Sequence, residues 1–146
     1  MNTMKPLNST HQKAIENFCQ RVVEEFQPDC IILHGSVAQG KATRTSDIDL
    51  IIIGGALPED FFERLYELNR LRDGTAPLEI VGYTKLEWKE MLNNWHLTPL
   101  EAIYWGIPLY GQQLFSQWQH KLRSWQEAGL RREANSWVIP ATLQPA

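Results

Sequence analysis

Two short apolar runs, separated by a polar stretch with glycines, place the tightest limit on how this chain can fold. Residues 30–33 and 48–53 are rich in β-branched side chains and have the length of buried strands. Only fourteen residues connect them, including two glycines and several polar side chains, so the connection has room for at most a short helix. We therefore expect two strands joined by a compact polar turn.

Apolar residues at helical spacing predict helices around these strands. The helices are expected at 8–26, at 58–72, after a capping box of Thr84 and Glu87, from a second capping signal at Thr98 to Gly106, and over 114–125; further strands are expected at 78–83 and 107–110. This order belongs to the α/β or α+β class, with a small sheet covered by helices. The 146 residues fit one domain over 1–130, followed by a poorly ordered tail over 131–146.

Charge and cysteine content exclude several classes of protein. The net charge is −3 and neither half is basic, which disfavours broad capture of nucleic acid. No apolar run approaches the roughly 20 residues that cross a bilayer, and the polar N-terminus resembles no signal peptide. Cys19 and Cys30 are spaced as neither a zinc clip nor a redox pair, so we expect buried thiols. A cytoplasmic protein without membrane contact is the expectation.

Two aspartates stand where packing alone would favour apolar residues. Asp47 and Asp49 lie two residues apart, so on an extended strand their side chains leave the same face about 6.6 Å apart along the backbone. Converging carboxylates suit Mg²⁺, which combines them with waters and phosphate oxygens. Glu79 interrupts the next apolar strand and is the candidate third carboxylate; the alternative is an outward residue on a half-exposed strand.

The turn after the first strand can accommodate an anion. Gly35 has no Cβ and lets a phosphate approach the backbone, while Ser36 offers a hydroxyl and an amide. Lys41 and Arg44 are candidate counter-charges for a triphosphate, with simple solvation as the alternative. Ser46 is expected to fix the turn into the second strand.

Three other patterns were weighed against structural roles. The spacing of Gly35, Gly40 and Lys41 matches part of a P-loop, but Ala42 lacks the hydroxyl that binds Mg²⁺ and no long helix follows. The tryptophans at 88, 95, 118 and 125 fit helical core stripes rather than a base-stacking platform. The histidines at 34, 96 and 120 share no nucleophile and are expected to be structural.

Gly35-Ser36, ten further residues, and then Asp47-x-Asp49 preceded by Ser46, with apolar strands on both sides, resemble the signature of the DNA polymerase β-like nucleotidyltransferase superfamily. Glu79 extends this resemblance to the third strand. The small size, the N-terminal helix and the stretch over 101–111 are similar to the minimal nucleotidyltransferases of the MNT type.

The resemblance implies a nucleotidyltransferase fold, a small mixed sheet flanked by helices. Asp47, Asp49 and Glu79 would be the catalytic, metal-holding residues for two Mg²⁺ ions, and Gly35 and Ser36 would cradle the triphosphate. The nucleotide-binding candidates are completed by Ser46, Lys41 and Arg44. The implied reaction is attack of an acceptor hydroxyl on the α-phosphorus of ATP or another nucleotide, with release of pyrophosphate.

The same resemblance suggests a partner. Many MNT-type proteins accompany a HEPN-domain protein, and some are antitoxins that transfer AMP to a tyrosine of that toxic ribonuclease. Two alternatives remain: transfer to a small molecule such as an aminoglycoside, and neutralisation of the partner by occlusion through exposed Trp105, Trp118 or Trp137. Glu79 departs from the Asp of many minimal relatives.

Overall fold

The structure of the protein is a computed structural model that describes residues 9–41 and 47–144. Helices and strands alternate along these residues in nearly the predicted order. In chain order the elements are α1 Ser9–Phe26, β1 Cys30–His34, α2 Gly35–Ala38, β2 Ile48–Ile53, α3 Phe61–Asn69, β3 Leu78–Tyr83, α4 Lys85–Asn93, α5 Leu97–Trp105, β4 Ile107–Tyr110, α6 Gln112–Glu127, β5 Arg131–Glu133 and β6 Ser136–Val138.

The first four strands form one mixed sheet in the order β3-β2-β1-β4. Strand β1 is antiparallel to both of its neighbours, and β2 is parallel to β3. The N-terminal ends of β2 and β3 therefore lie beside the C-terminal end of β1, at one end of the sheet. This arrangement confirms the expected α/β class with a small mixed sheet flanked by helices.

Both faces of the sheet are covered, which explains why β1 and β2 read as nearly continuous apolar runs. On the first face, Leu33 and Leu50 pack with Phe18 of α1 and Leu68 of α3. The second face is covered by α4, α5 and α6, whose buried residues form another cluster with alternate strand positions: Cys30, Ile32, Ile51, Ile53, Trp88, Leu92, Leu100, Ala102, Ile103, Phe115 and Leu122. The tryptophans at 88, 95, 118 and 125 belong to this second cluster, as expected.

Side-chain caps set the beginnings of α3 and α4. The capping box predicted for Thr84 and Glu87 is present in full. Helix α3 begins at Phe61 rather than at residue 58, because the Asp60 side chain accepts a hydrogen bond from the Glu63 amide at 2.9 Å. The helix start predicted from Pro58 is therefore three residues too early.

Two predictions for the C-terminal third are wrong. Helix α5 begins at Leu97 with His96 as its N-cap, so the predicted cap at Thr98 does not form. The segment from residue 131 is not a poorly ordered tail, because β5 and β6 pair as an antiparallel hairpin with Arg132 opposite Trp137. Both of these side chains bind Glu101 of α5, Arg132 through two 2.8 Å hydrogen bonds and Trp137 through one of 2.8 Å.

The cysteines behave as the sequence predicts. Cys30 is buried in the sheet, Cys19 packs partly buried against the first core, and neither forms a disulfide. Burial is the main cause that raises the pKa of both thiols to about 12, so neither is a thiolate at neutral pH. Among the described helices, none is long and apolar enough to cross a bilayer.

Candidate active site

Three polar side chains form a row across one end of the sheet, where β1 ends and β2 and β3 begin. Asp49 of β2 pairs with His34 of β1 on one side and with Glu79 of β3 on the other. Paired residues project from the same face of a sheet. By strand alternation this is the second face, the one covered by α4, α5 and α6. The backbone pairing of β2 with β3 therefore places Asp49 next to Glu79.

Asp47 lies just before β2, two residues from Asp49, and is exposed. Burial raises the pKa of Asp49, and the charges of Glu79 and then Asp47 raise that pKa further. Both neighbouring carboxylates are therefore near enough to repel the Asp49 charge. Burial lowers the pKa of His34, so a neutral imidazole beside Asp49 does not offset this repulsion.

Gly35 brings the backbone against this row. Its φ of +78° lies in the left-handed region, and a Cβ at this position would overlap Oδ2 of Asp49 and stand 3.0 Å from its Cγ. Residues other than glycine would thus have both an unfavourable backbone and a steric clash. Helix α2 begins directly at Gly35, with Ser36 as its second residue. The predicted anion turn and the predicted carboxylates are therefore adjacent.

Lys41 is exposed and turns toward α5. Its backbone amide donates to the Ser36 carbonyl at 2.9 Å, and its Nζ lies 6.0 Å from the centroid of the Trp105 ring. No ion pair joins Lys41 to a carboxylate within residues 9–41 and 47–144. The other two loop candidates, Arg44 and Ser46, lie outside the described residues.

The donor set suits a hard divalent cation that also binds substrate oxygens. Among the described residues, no three His, Cys, Asp or Glu side chains already enclose a metal position. Mg²⁺ does not require such a cage, because it commonly takes one or two carboxylates and completes its shell with water and phosphate oxygens. The repulsion at Asp49, with no cation paired to it in the described part of the chain, is the condition that a bound cation would relieve.

In a comparison with known protein families, the nucleotidyltransferase domain matches residues 15–96 of the chain. That range runs from α1 through β3 and α4. It contains His34, Asp49 and Glu79, which together form the carboxylate row. The chain belongs to the nucleotidyltransferase domain family. No curated protein matches it.

Solved structures similar to this nucleotidyltransferase include a Sulfolobus solfataricus protein assigned to the nucleotidyltransferases, with 23% identity, coverage of 56% of this chain and 73% of that one, and a TM-score of 0.47. A toxin–antitoxin structure with AMP-PNP has 21% identity, coverage of 77% and 87%, and a TM-score of 0.49. A mutant of the toxin–antitoxin MntA–HpeT has 21% identity, coverage of 84% and 88%, and a TM-score of 0.48.

Two features near the row escaped the sequence analysis. His34 was assigned a structural role, yet it lies directly beside Asp49 in the sheet. The alternation of side chains along β1 from Cys30 predicts which face of the sheet His34 is on. Only the pairing of β1 with β2 shows that Asp49 is next to it. Trp105 was expected as an exposed contact residue; instead it is partly buried, its Nε1 is buried without a hydrogen-bond partner among the described atoms, and Arg132 lies 5.4 Å from its ring centroid.

Replacing Gly35 with alanine is expected to destabilise this nucleotidyltransferase more than the same change at Gly40. Both residues have positive φ, of +78° and +73°, so each variant incurs the left-handed backbone cost of about 1–2 kcal/mol. Only at Gly35 does the new Cβ strike Asp49, whereas nothing lies within 4 Å of a Cβ at Gly40. Urea denaturation of the two variants measures the difference, and equal losses would contradict the close approach of Gly35 to Asp49.

Proposed function

We propose that this nucleotidyltransferase transfers a nucleoside monophosphate, AMP from ATP in the first instance, to a hydroxyl acceptor. The observation that carries the proposal is the register of Asp49 with Glu79 beside Gly35, with Asp47 close enough to repel Asp49. The arrangement collects negative charge next to a turn whose glycine backbone is closely approached by the Asp49 carboxylate. A nucleoside triphosphate with divalent cations has the charge and the size that this arrangement can accept.

Asp47, Asp49 and Glu79 are the residues that would hold two Mg²⁺ ions. When bound, the ions would neutralise the triphosphate and lower the pKa of the acceptor hydroxyl. The row fixes Asp49 because its backbone is held on both sides by strand pairing. Exposed Asp47 and Glu79 are free to adjust to the ions and the substrate. Such positioning of charge on rigid strands favours catalysis by preorganisation.

Gly35 and Ser36 would receive the triphosphate, with Lys41, Arg44 and Ser46 as further contacts. Gly35 is needed because it has no side chain: a Cβ there would overlap the carboxylate of Asp49. Lys41 is exposed and has no ion pair within the described residues, and it precedes Asp47 by six positions in the sequence. Its ammonium group can therefore exchange the Trp105 ring for a phosphate without breaking an ion pair.

The acceptor that we propose is a tyrosine hydroxyl of a HEPN-type toxin, which would make the protein an antitoxin. The MNT-like motifs support this acceptor. The test incubates the purified protein, its candidate partner and Mg²⁺ with ATP labelled at either the α- or the γ-phosphate. Label from the α-phosphate is expected on the partner, with release of pyrophosphate. Transfer of γ-label instead, or of neither label, would refute nucleotidyl transfer to this partner.

An aromatic patch on α3 favours a second candidate function, neutralisation of the partner by occlusion. Phe61, Phe62 and Tyr66 are exposed, Phe62 to 76%, and this concentration of apolar surface is typical of protein interfaces. The tryptophans expected to serve this role, at 105, 118 and 137, are partly buried instead. If a protein with both Asp47→Asn and Asp49→Asn silences the partner as well as the wild type, occlusion is sufficient; if Phe62→Asp alone preserves silencing, this patch is not the interface.

A further inference from the structure

A concave cavity of about 280 Å³ lies at the opposite end of the sheet from the carboxylate row. Asp29, which directly precedes β1, is part of its wall. Asp49 pairs instead with His34 at the other end of β1. Cys30 and His34, the two ends of β1, are four residue steps apart, which is about 13 Å along the backbone. The cavity is thus a separate site, and the proposed nucleotidyl transfer does not use it.

Two tryptophans form the apolar part of the cavity. Trp88 of α4 and Trp118 of α6 both line it, and their ring centroids are 5.4 Å apart with planes inclined by 48°. Trp118 is the partly exposed member of the pair, so its ring is the aromatic surface that another flat ring can pack against. The cavity approaches the lower limit of volumes common for small-molecule sites, so the occupant must be small.

Trp88 has an unused hydrogen-bond donor. Its side chain is only 2% exposed, and its Nε1 is buried with no hydrogen-bond partner among the described atoms. Buried indole N–H groups usually have an acceptor, because leaving a polar group unpaired away from water is unfavourable. Trp88 is thus a lining residue of the cavity whose polar atom the described protein atoms do not satisfy.

The polar part of the cavity is basic. Lys85 and Lys89, one turn apart on α4, and Lys121 of α6 all line it and are exposed. Lys121 donates to the Asn93 side chain at 3.1 Å, but no ion pair joins any of the three to a carboxylate in the part of the chain that the structure describes. Asp29 is the acidic residue of the wall. Three ammonium groups against one carboxylate leave an excess of positive charge.

From this combination we propose that the cavity binds a small aromatic anion, a flat ring that carries a carboxylate or a phosphate. The ring packs against Trp118 and the small part of Trp88 that lines the cavity, and the anionic group lies among the three lysines. A simpler ligand would match only one half of the cavity. Inorganic phosphate leaves the indole surface exposed to water, and a neutral aromatic molecule leaves the lysines without a counter-charge.

The test uses 2-naphthoate as the probe, with calorimetry and with NMR spectra of the tryptophan indole N–H groups of the full chain. Binding at one site per chain is expected, with shifts of the Trp88 and Trp118 signals and none at Trp105. Naphthalene-2-carboxamide, the neutral analogue, and inorganic phosphate are each expected to bind at least about tenfold more weakly. Equally tight binding of either one would overturn the proposed ligand class.

Charge reversal identifies the lysines. Lys85→Glu combined with Lys89→Glu is expected to weaken 2-naphthoate binding by at least about tenfold, and added salt should weaken binding to the wild type. The matched control is Lys13→Glu on α1, which packs on the first face of the sheet and is exposed; its affinity should equal that of the wild type. Asp49→Asn should also bind normally, which separates this site from the carboxylate row. No saturable binding, or equal weakening by the control, would refute the proposal.

Discussion

Replacing Asp49 with asparagine is expected to reduce Mg²⁺-dependent nucleotide transfer about a thousandfold, as when one group that controls transition-state charge is removed. Asp49 is the residue that pairs with Glu79 and that also approaches Gly35. Asparagine keeps the shape of the side chain but loses the charge that would hold Mg²⁺. Initial rates of α-label transfer by the wild type and the variant measure the effect, and a variant within tenfold of the wild-type rate would sink the assignment.

The same variant is expected to unfold less readily than the wild type near neutral pH. Because burial, Glu79 and Asp47 raise the pKa of Asp49, the folded protein binds this proton more tightly than the unfolded chain does. The free energy of unfolding of the wild type therefore falls as the pH rises from below the ordinary aspartate pKa through the raised folded pKa. Asparagine does not titrate, so the advantage of Asp49→Asn should be smallest in acid and largest near neutral pH.

Urea denaturation at several pH values tests this expectation, with Asp73→Asn as the control. Asp73 is an exposed carboxylate that pairs with Arg21 at the surface, so its replacement removes a charge that does not belong to the row. Mg²⁺ is expected to raise the Tm of the wild type but not that of Asp49→Asn, since bound ligands stabilise only a protein that can hold them. A variant that is equally destabilised at every pH would show that Asp49 has a packing role instead.

The largest loss of stability is expected from Arg64→Met. The Arg64 side chain is 1% exposed and donates hydrogen bonds to the carbonyls of Pro58, Glu59 and Gly82. It also pairs with the Glu87 carboxylate at 2.9 Å. Methionine fills a similar volume but leaves these carbonyls without their donor, and each buried acceptor left unpaired typically costs about 1–3 kcal/mol. The Glu87 carboxylate is 43% exposed, so water can solvate it once Arg64 is gone.

The free energy of unfolding from urea titration measures the Arg64 effect. Arg70→Met is the matched control, because Arg70 pairs with Glu25 and Glu67 at the surface, where ion pairs contribute little. Arg64→Lys should not restore stability, since one ammonium group cannot reproduce the directions of the guanidinium donors. If Arg64→Met and Arg70→Met lose similar stability, the Arg64 network is not a main support of the α3–β3–α4 region.

Local sequence signals were sufficient for much of the fold. The bounds of β2, β3 and β4 follow from apolar runs that end at turn residues, and the α4 cap follows from Thr84 and Glu87. The start of α3 was placed too early because a proline at 58 and a capping aspartate at 60 are both start signals. The hydrogen bond to the Asp60 side chain decides between them.

Long-range pairings limited the remaining predictions. The three acidic candidates could be nominated from spacing, but Asp49 opposite Glu79 depends on the order and register of the strands. His34 became a neighbour of Asp49 for the same reason. The hairpin at residues 131–138 was missed because its support comes from Glu101, which is 31 residues before Arg132.

The attachment of the C-terminal hairpin to Glu101 affects where the chain can be cut for expression. An end point after residue 130, which the sequence pattern recommends, would delete Arg132 and Trp137 and leave the Glu101 carboxylate without both of its hydrogen-bond donors. The indole of Trp137 would also be removed from Tyr104, whose ring centroid lies 5.4 Å away. A shortened recombinant fragment would therefore uncover more of the Glu101 carboxylate and of the Tyr104 ring, which is 45% exposed even beside the hairpin.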